Sequence, residues 1–133
     1  MASYLLDTNH ASTLVTLHHP LRHRVLTAIQ NGDHFAVCVP VVCEVWYGIS
    51  VLPRAISNRA EWDRLRAGMG YFQHSEEDAK TAADLQVSLR QQGWTFSTVD
   101  ALIAAIAIRH NLILLTSDKD FSAVPNLKTE NWR

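Results

Sequence analysis

The sequence predicts an α/β fold, a parallel sheet of about five strands covered by helices, and three observations carry that prediction. Helical and strand-like patterns alternate along the 133 residues, as βαβ units require. The stretch Thr98–Phe121, TVDALIAAIAIRHNLILLTSDKDF, reads as an almost wholly apolar helix running into an almost wholly apolar strand, as expected of elements buried in the middle of an α/β sandwich. Glycine and proline fall only at element boundaries, with no internal repeat or linker.

The length is that of one domain, residues 1–133, long enough for a real core and too short for a second. A hydrophobic fraction of 47% with 19% charged residues belongs to an ordinary globular chain, so disorder is expected only at the ends. MASYLLDTN has no basic leader and reaches an aspartate after two leucines, which reads as neither a secretory signal nor a membrane span. A cytoplasmic protein with no membrane association is therefore expected. Cys38 and Cys43 do not have zinc-knuckle spacing and read as buried small hydrophobes in a reducing compartment. The net charge of −1 argues against a generally basic nucleic-acid glove. It still admits nucleic acid, because divalent cations in an acidic site reverse its local sign.

Taken in order, Tyr4–Leu6 is a first strand that ends on Asp7, with Thr8 and Asn9 suited to a helix start. One helix ends before Pro20 and a second runs from there to Asn31 and Gly32, a stop signal. His18, His19 and His23, flanked by a proline and arginines, read as a solvated corner rather than metal ligands. His34–Val39 is the second strand, and Pro40 marks the turn into a helix through VVCEVWYGIS. Glu44 lies about one turn into it, with Val41, Val42, Val45, Trp46 and Ile49 around it and no purely polar face to hold it.

Leu52–Gly68 is basic and helical, with Arg54, Arg59, Arg64 and Arg66 set against Glu61 and Asp63, and Trp62 between them. It is either a solvated helix with an apolar inner stripe or a surface that grips a splayed RNA strand. Met69–Gln73 is a weak third strand. Ser75 to Asp78 resembles a capping box, opening a helix with Ala79, Ala82, Leu85, Gln86 and Leu89 at helical spacing and a stop at Gly93. After a loop, Ser97 or Thr98 caps the central helix and Asn111 ends it as a left-handed cap. Leu112–Leu115 is the fourth strand, and Leu127–Glu130 is a short fifth strand at the edge.

Three carboxylates interrupt the apolar central stretch: Asp100 at the helix start, and Asp118 and Asp120 just past the strand. A lone aspartate in either place is an ordinary first-turn or turn residue. Several gathered beside a dry core call for a cation or strong donors. In a parallel sheet with right-handed crossovers, ligands bind outside the carboxyl ends of the strands where strand order reverses. If the order is 3-2-1-4-5, that point lies between strands one and four. Asp7 and Asp118 lie at those two ends, and Glu44 and Asp100 fall on helices that begin on the same edge, so topology brings all four together. With no histidine or cysteine among them they are hard oxygen ligands, suited to Mg²⁺ or Mn²⁺. Such clusters hold one or two ions, roughly 3.5 to 4 Å apart when there are two, that activate water for phosphodiester hydrolysis. Without metal the carboxylates repel, and one or more titrates upward.

YLLDTN, CEVWYG, VDALIAAIA, LLTSDKDF and the closing NLKTENW, in that order and spacing, resemble the PIN-domain ribonucleases, and among them the VapC-type toxins of bacterial toxin–antitoxin pairs. The resemblance spans the chain and implies a three-layer α/β/α fold with a parallel sheet in order 3-2-1-4-5. It also implies a metal-dependent endoribonuclease acting on RNA, with Mg²⁺ or Mn²⁺ as cofactor. Asp7, Glu44, Asp100 and Asp118 match the four acidic positions of the family. Asp120 matches a fifth that is often acidic, and Asn9 and Thr116 match small polar neighbours that help hold the site. A cognate antitoxin and a homodimer are the implied partners, with Trp46, Tyr47 and Trp62 as candidates for an apolar groove facing the antitoxin.

Two rival readings come from other classes. A phospho-receiver module needs an acceptor aspartate at the end of the middle strand, whereas the third strand here ends in Gln73 and His74. A catalytically silent binding protein would act through antitoxin association alone. Within the nuclease class, a preference for DNA or flap structures is disfavoured by the small size and the lack of an added helical arch.

Overall fold

The computed structural model describes all 133 residues. The elements are β1 (Ser3–Leu6), α1 (Thr8–Ala11), a 3-10 helix (Ser12–Val15), α2 (Pro20–Gln30), β2 (His34–Cys38), α3 (Val39–Ser50), α4 (Ala55–Ala67) and β3 (Gly70–Phe72). Then follow α5 (Glu76–Gln91), α6 (Thr98–Arg109), β4 (Ile113–Leu115), a second 3-10 helix (Lys119–Ala123) and β5 (Thr129–Glu130). The strands form one sheet in the order β3-β2-β1-β4-β5. Every pairing is parallel, with Leu5 opposite Ala36 on one side and Leu114 on the other. The predicted α/β class and strand order are thus those of the protein.

Hydrophobic burial fixes this arrangement. Leu5 and Leu6 of β1, Val37 and Cys38 of β2, and Leu114 and Leu115 of β4 are wholly enclosed, as strands covered on both faces must be. Ala101 and Ile103–Ala107 of α6 are buried together, so this helix has no solvent stripe and packs into the core on most of its circumference. The edge strands β3 and β5 are short and largely exposed. Short edges limit pairing with other chains.

Caps place the helix ends. Ser97 accepts the Asp100 backbone N–H at 3.1 Å and opens α6, and Asn111 at φ 53° turns the chain from α6 into β4. Ser75 and Asp78 form the predicted capping box of α5. Asp78 also accepts from Arg109 Nη1 at 2.8 Å, which ties the start of α5 to the end of α6.

Several sequence expectations are corrected. Cys38 is buried, but Cys43 is exposed because it falls on the outer side of α3. Helical structure in the basic segment begins at Ala55, after Arg54 in a left-handed conformation at φ 66°. Trp62 does not face solvent for RNA stacking or for a groove: it is 1% exposed and belongs to the core. The arginines around it are engaged within the protein, with Arg22 and Arg64 on Glu61 and Arg59 on Ser50. By contrast Trp46 and Tyr47 are exposed, together with Val51, Leu52 and Ile56. His18 and His23 are exposed as expected, and His19 accepts the Leu21 backbone N–H at the head of α2.

Candidate active site

The carboxyl ends of β1 and β4 lie side by side, and the chain leaves each through an aspartate. Asp7 follows Leu6, and its backbone N–H donates to the Leu115 carbonyl at 3.0 Å, continuing the parallel ladder to the sheet's last rung. Its side chain is buried but fully engaged. Oδ1 accepts the Thr8 backbone N–H at 2.8 Å, and Oδ2 accepts the Thr116 hydroxyl at 2.7 Å and the Asn9 amide at 3.2 Å. Charge-assisted bonds of this kind let a carboxylate remain inside the protein.

Thr116, the residue after β4, is the hinge of the arrangement. Its hydroxyl donates to Asp7 and its oxygen accepts the Asp118 backbone N–H at 3.0 Å. Asp118 in turn caps the 3-10 helix, with Oδ1 accepting the Asp120 N–H at 2.9 Å. This turn brings Asp118 and Asp120 to Asp100 at the head of α6. One carboxylate oxygen from each of the three lies within 4.8 Å of the others. Glu44 reaches the same edge from α3 and is exposed, with Oε1 accepting the Thr8 hydroxyl at 2.8 Å.

All seven residues singled out from the sequence therefore meet at one edge, in two linked groups. Asp7, Asn9, Thr116 and Glu44 share a hydrogen-bond network through Thr8, while Asp100, Asp118 and Asp120 form the carboxylate triplet. Asp118 bridges the groups through Thr116. Thr8 and His10 are the participants the sequence does not flag. Thr8 looks like a helix-start residue, and a lone histidine in a short turn carries no pattern.

The electrostatics match crowded negative charge. Burial pushes the Asp7 carboxyl up; the bonds from Thr116 and Thr8 oppose this, and the charges of Glu44 and Asp118 add to it. Asp100 is pushed up to about 6, first by burial and then, against the bond to Ser97, by the charges of Asp7, Asp118 and Glu44. On top of burial, the neighbouring negative charges thus resist the ionisation of Asp7 and Asp100, as like charges gathered at one site do. The donor set is entirely carboxylate oxygen, so the residues present fit a hard divalent cation, which would relieve the repulsion. A cavity of about 370 Å³ lined by Ser3, Asp33 and His34 lies at the opposite edge, where β1 and β2 begin, and takes no part in this cluster.

Comparison with known proteins agrees with the geometry. The PIN domain family matches residues 4–127. Ribonuclease VapC2 of Rickettsia felis is 28% identical over 130 residues, covering 97% of both chains. The crystal structure of VapBC2 from Rickettsia felis, bound to a DNA fragment from its promoter, superposes with a TM-score of 0.85 at 27% identity over 98% of this chain and 99% of that one. DNA-bound VapBC from Salmonella typhimurium superposes with a TM-score of 0.83 at 19% identity over the full length of both chains, a likeness of fold. With the family pattern running from the first strand to the entry of the last, and the same sheet order beneath it, the chain belongs to the PIN domain family.

Proposed function

We propose that this protein is a metal-dependent endoribonuclease toxin of a toxin–antitoxin pair, with residues 1–133 forming one PIN domain. The observation that carries the reading is the convergence of Asp7, Glu44, Asp100, Asp118 and Asp120 on one open edge of the sheet, with Asp7 and Asp100 both pushed toward protonation. The similarity to a protein named as a ribonuclease supports the same chemistry.

In this reading Asp7 and Asp100 hold the principal Mg²⁺ or Mn²⁺. Glu44 and Asp118 complete its surroundings directly or through water, and Asp120 adds an oxygen beside Asp118. A bound divalent ion supplies Lewis-acid polarisation of the phosphoryl group and lowers the pKa of water at the scissile bond. The chain's own contribution is placement. Thr116, Thr8 and Asn9 fix the Asp7 carboxylate, and the Asp118 carboxylate is held where it caps the turn that carries Asp120. Hydrolysis by this arrangement leaves a 5′-phosphate and a 3′-hydroxyl.

The partner reading is a cognate antitoxin, supported by the VapBC complexes among the structural relatives and by the exposed Trp46 and Tyr47. A homodimer is part of the same proposal. No helix is long and apolar enough to cross a membrane, and we place the protein in the cytoplasm with its RNA substrate.

The test is cleavage of total cellular RNA by purified protein with Mg²⁺, Mn²⁺ or EDTA, beside an Asp7→Asn control, with fragment ends sequenced. Discrete metal-dependent cuts absent from the folded variant are expected. No cutting by folded, antitoxin-free protein under any condition would overturn the nuclease and leave partner binding as the activity.

A further inference from the structure

His10 is wholly buried in α1, and the charges that act on it, Arg133 and Arg24, are both positive. Its two ring nitrogens are both used. The backbone N–H of Trp132 donates to Nε2 at 3.0 Å, and Nδ1 lies 2.7 Å from Asn9 Oδ1. A backbone amide can only donate, so Nε2 is the unprotonated nitrogen and Nδ1 carries the hydrogen. The amide oxygen of Asn9 is thereby the acceptor, which it also is toward the Ser117 backbone N–H at 3.2 Å. The amide NH₂ must then point the other way, where it meets Asp7 Oδ2 at 3.2 Å and Thr116 Oγ1 at 3.4 Å. A flipped Asn9 would set oxygen against the Asp7 carboxylate and N–H against two donors.

We propose that His10 is a positioning residue for the acidic site, acting through Asn9: its fixed tautomer locks the Asn9 amide so that it donates to Asp7. The proposal deepens the metal-site reading and rests on it for the meaning of Asp7.

The far end of the relay is itself anchored. The Trp132 ring packs against Tyr4 at 5.0 Å between centroids and lies under the Arg24 guanidinium at 3.9 Å. The Arg133 side chain donates to the Asn9 carbonyl at 3.1 Å. The C-terminal residues beyond β5 therefore set the ring that sets the amide that holds the carboxylate. Burial, reinforced by the positive charges of Arg133 and Arg24, pulls the imidazole down to about 4. The ring stays neutral at physiological pH, and the relay does not switch there. Asn9 is the donor one bond removed from the proposed ligand Asp7, a contact of the kind that commonly matters about 10- to 100-fold in metal affinity, and His10 reaches the site through it.

Two substitutions separate positioning from mere core filling. His10→Asn keeps an N–H donor at the δ position and gives up the acceptor for Trp132. His10→Gln keeps an acceptor at the ε position and gives up the donor to Asn9. Mn²⁺ affinity is measured by calorimetry on the free protein, with folding checked by circular dichroism. The expected result is affinity within about threefold of wild type for His10→Asn and a loss of at least about tenfold for His10→Gln. Equal effects of the two, or a larger loss in His10→Asn, would overturn the proposal in favour of a structural role.

Long-range proton–nitrogen NMR of the metal-free wild type gives a second readout should either variant fail to fold. The Nδ1–H tautomer is expected, and the Nε2–H tautomer would overturn the proposal. Neither readout requires RNA cleavage, so a failure of the nuclease reading would appear separately, as absent cutting by wild-type protein that binds Mn²⁺.

Discussion

The Thr116 hydroxyl donates to Asp7 Oδ2 at 2.7 Å across the gap between β4 and β1, and both residues are buried. This one bond links the two strand ends around which the acidic site is built. Thr116→Val keeps the shape and removes the donor, leaving a buried carboxylate one bond short. It is expected to destabilise the protein by about 1 to 3 kcal/mol, with Thr116→Ser close to wild type. Urea unfolding of the three proteins checks this expectation. Under the metal proposal Thr116→Val also weakens Mn²⁺ binding, which Mn²⁺ titration checks.

Stability should fall with rising pH on account of Asp100. Its carboxyl titrates at about 6 in the folded protein against an ordinary 3.8, so the folded state holds the proton more tightly. The favourable term is present below the ordinary value and is lost as pH rises toward and through the folded one. Because the group is only partly buried, solvent screening reduces the effect, and Asp100→Asn should gain about 1 kcal/mol at pH 7 in EDTA. Thermal melts between pH 4 and pH 8 test this; a variant no more stable than wild type at pH 7 would remove the repulsion argument.

Asp78 has the opposite sign. Burial works against its charge, but the bonds from the Ser75 backbone, Arg109 and the Ser75 hydroxyl outweigh it and hold the carboxyl below its ordinary value. Its contribution is present above that ordinary value and disappears as pH falls through the folded one. Asp78→Ala loses the capping box and strands Arg109 at the far end of α6. A cost of about 2 kcal/mol at neutral pH is expected. The gap between mutant and wild type should close under acid unfolding.

Two large side chains that look alike in the sequence should behave in opposite ways. Trp62 is enclosed, so Trp62→Ala should cost about 3 to 5 kcal/mol. Tyr47 is 70% exposed, and Tyr47→Ser should leave the melting temperature of the isolated protein nearly unchanged. Under the antitoxin proposal the second change weakens complex formation instead. Co-purification with the proposed antitoxin, together with melts of the free protein, separates the two effects.

Much of the fold was legible because its signals are local or follow from chain connectivity. The apolar run of α6 into β4, the capping box at Ser75 and the left-handed Asn111 each announce themselves within a few residues. Alternating β and α elements allow few sheet orders, and right-handed crossovers put Asp7, Glu44, Asp100 and Asp118 on one edge before any distance is known. Residue type then makes the cluster suited to a hard cation rather than a soft one.

Which side of a helix faces the core was less legible, since α4 has a weak apolar stripe and its arginines could serve either surface. Only packing against α3 and the first 3-10 helix decided that Trp62 goes in, and only the orientation of α3 decided that Cys43 and Tyr47 go out. Beyond the local caps, the long-range hydrogen bonds were not legible. Thr8 meets Glu44, and His10 joins Trp132 to Asn9, across separations of 36 and 122 residues. The sequence by itself determined the α/β class through hydrophobic period, the strand order through its resemblance to the PIN-domain family, and, given that order, the edge where chain connectivity gathers the acids. The tertiary structure alone decided which atom of each neutral group meets which acid, and brought in Thr8 and His10, because a hydrogen bond depends on tenths of an ångström that arise only when distant segments pack.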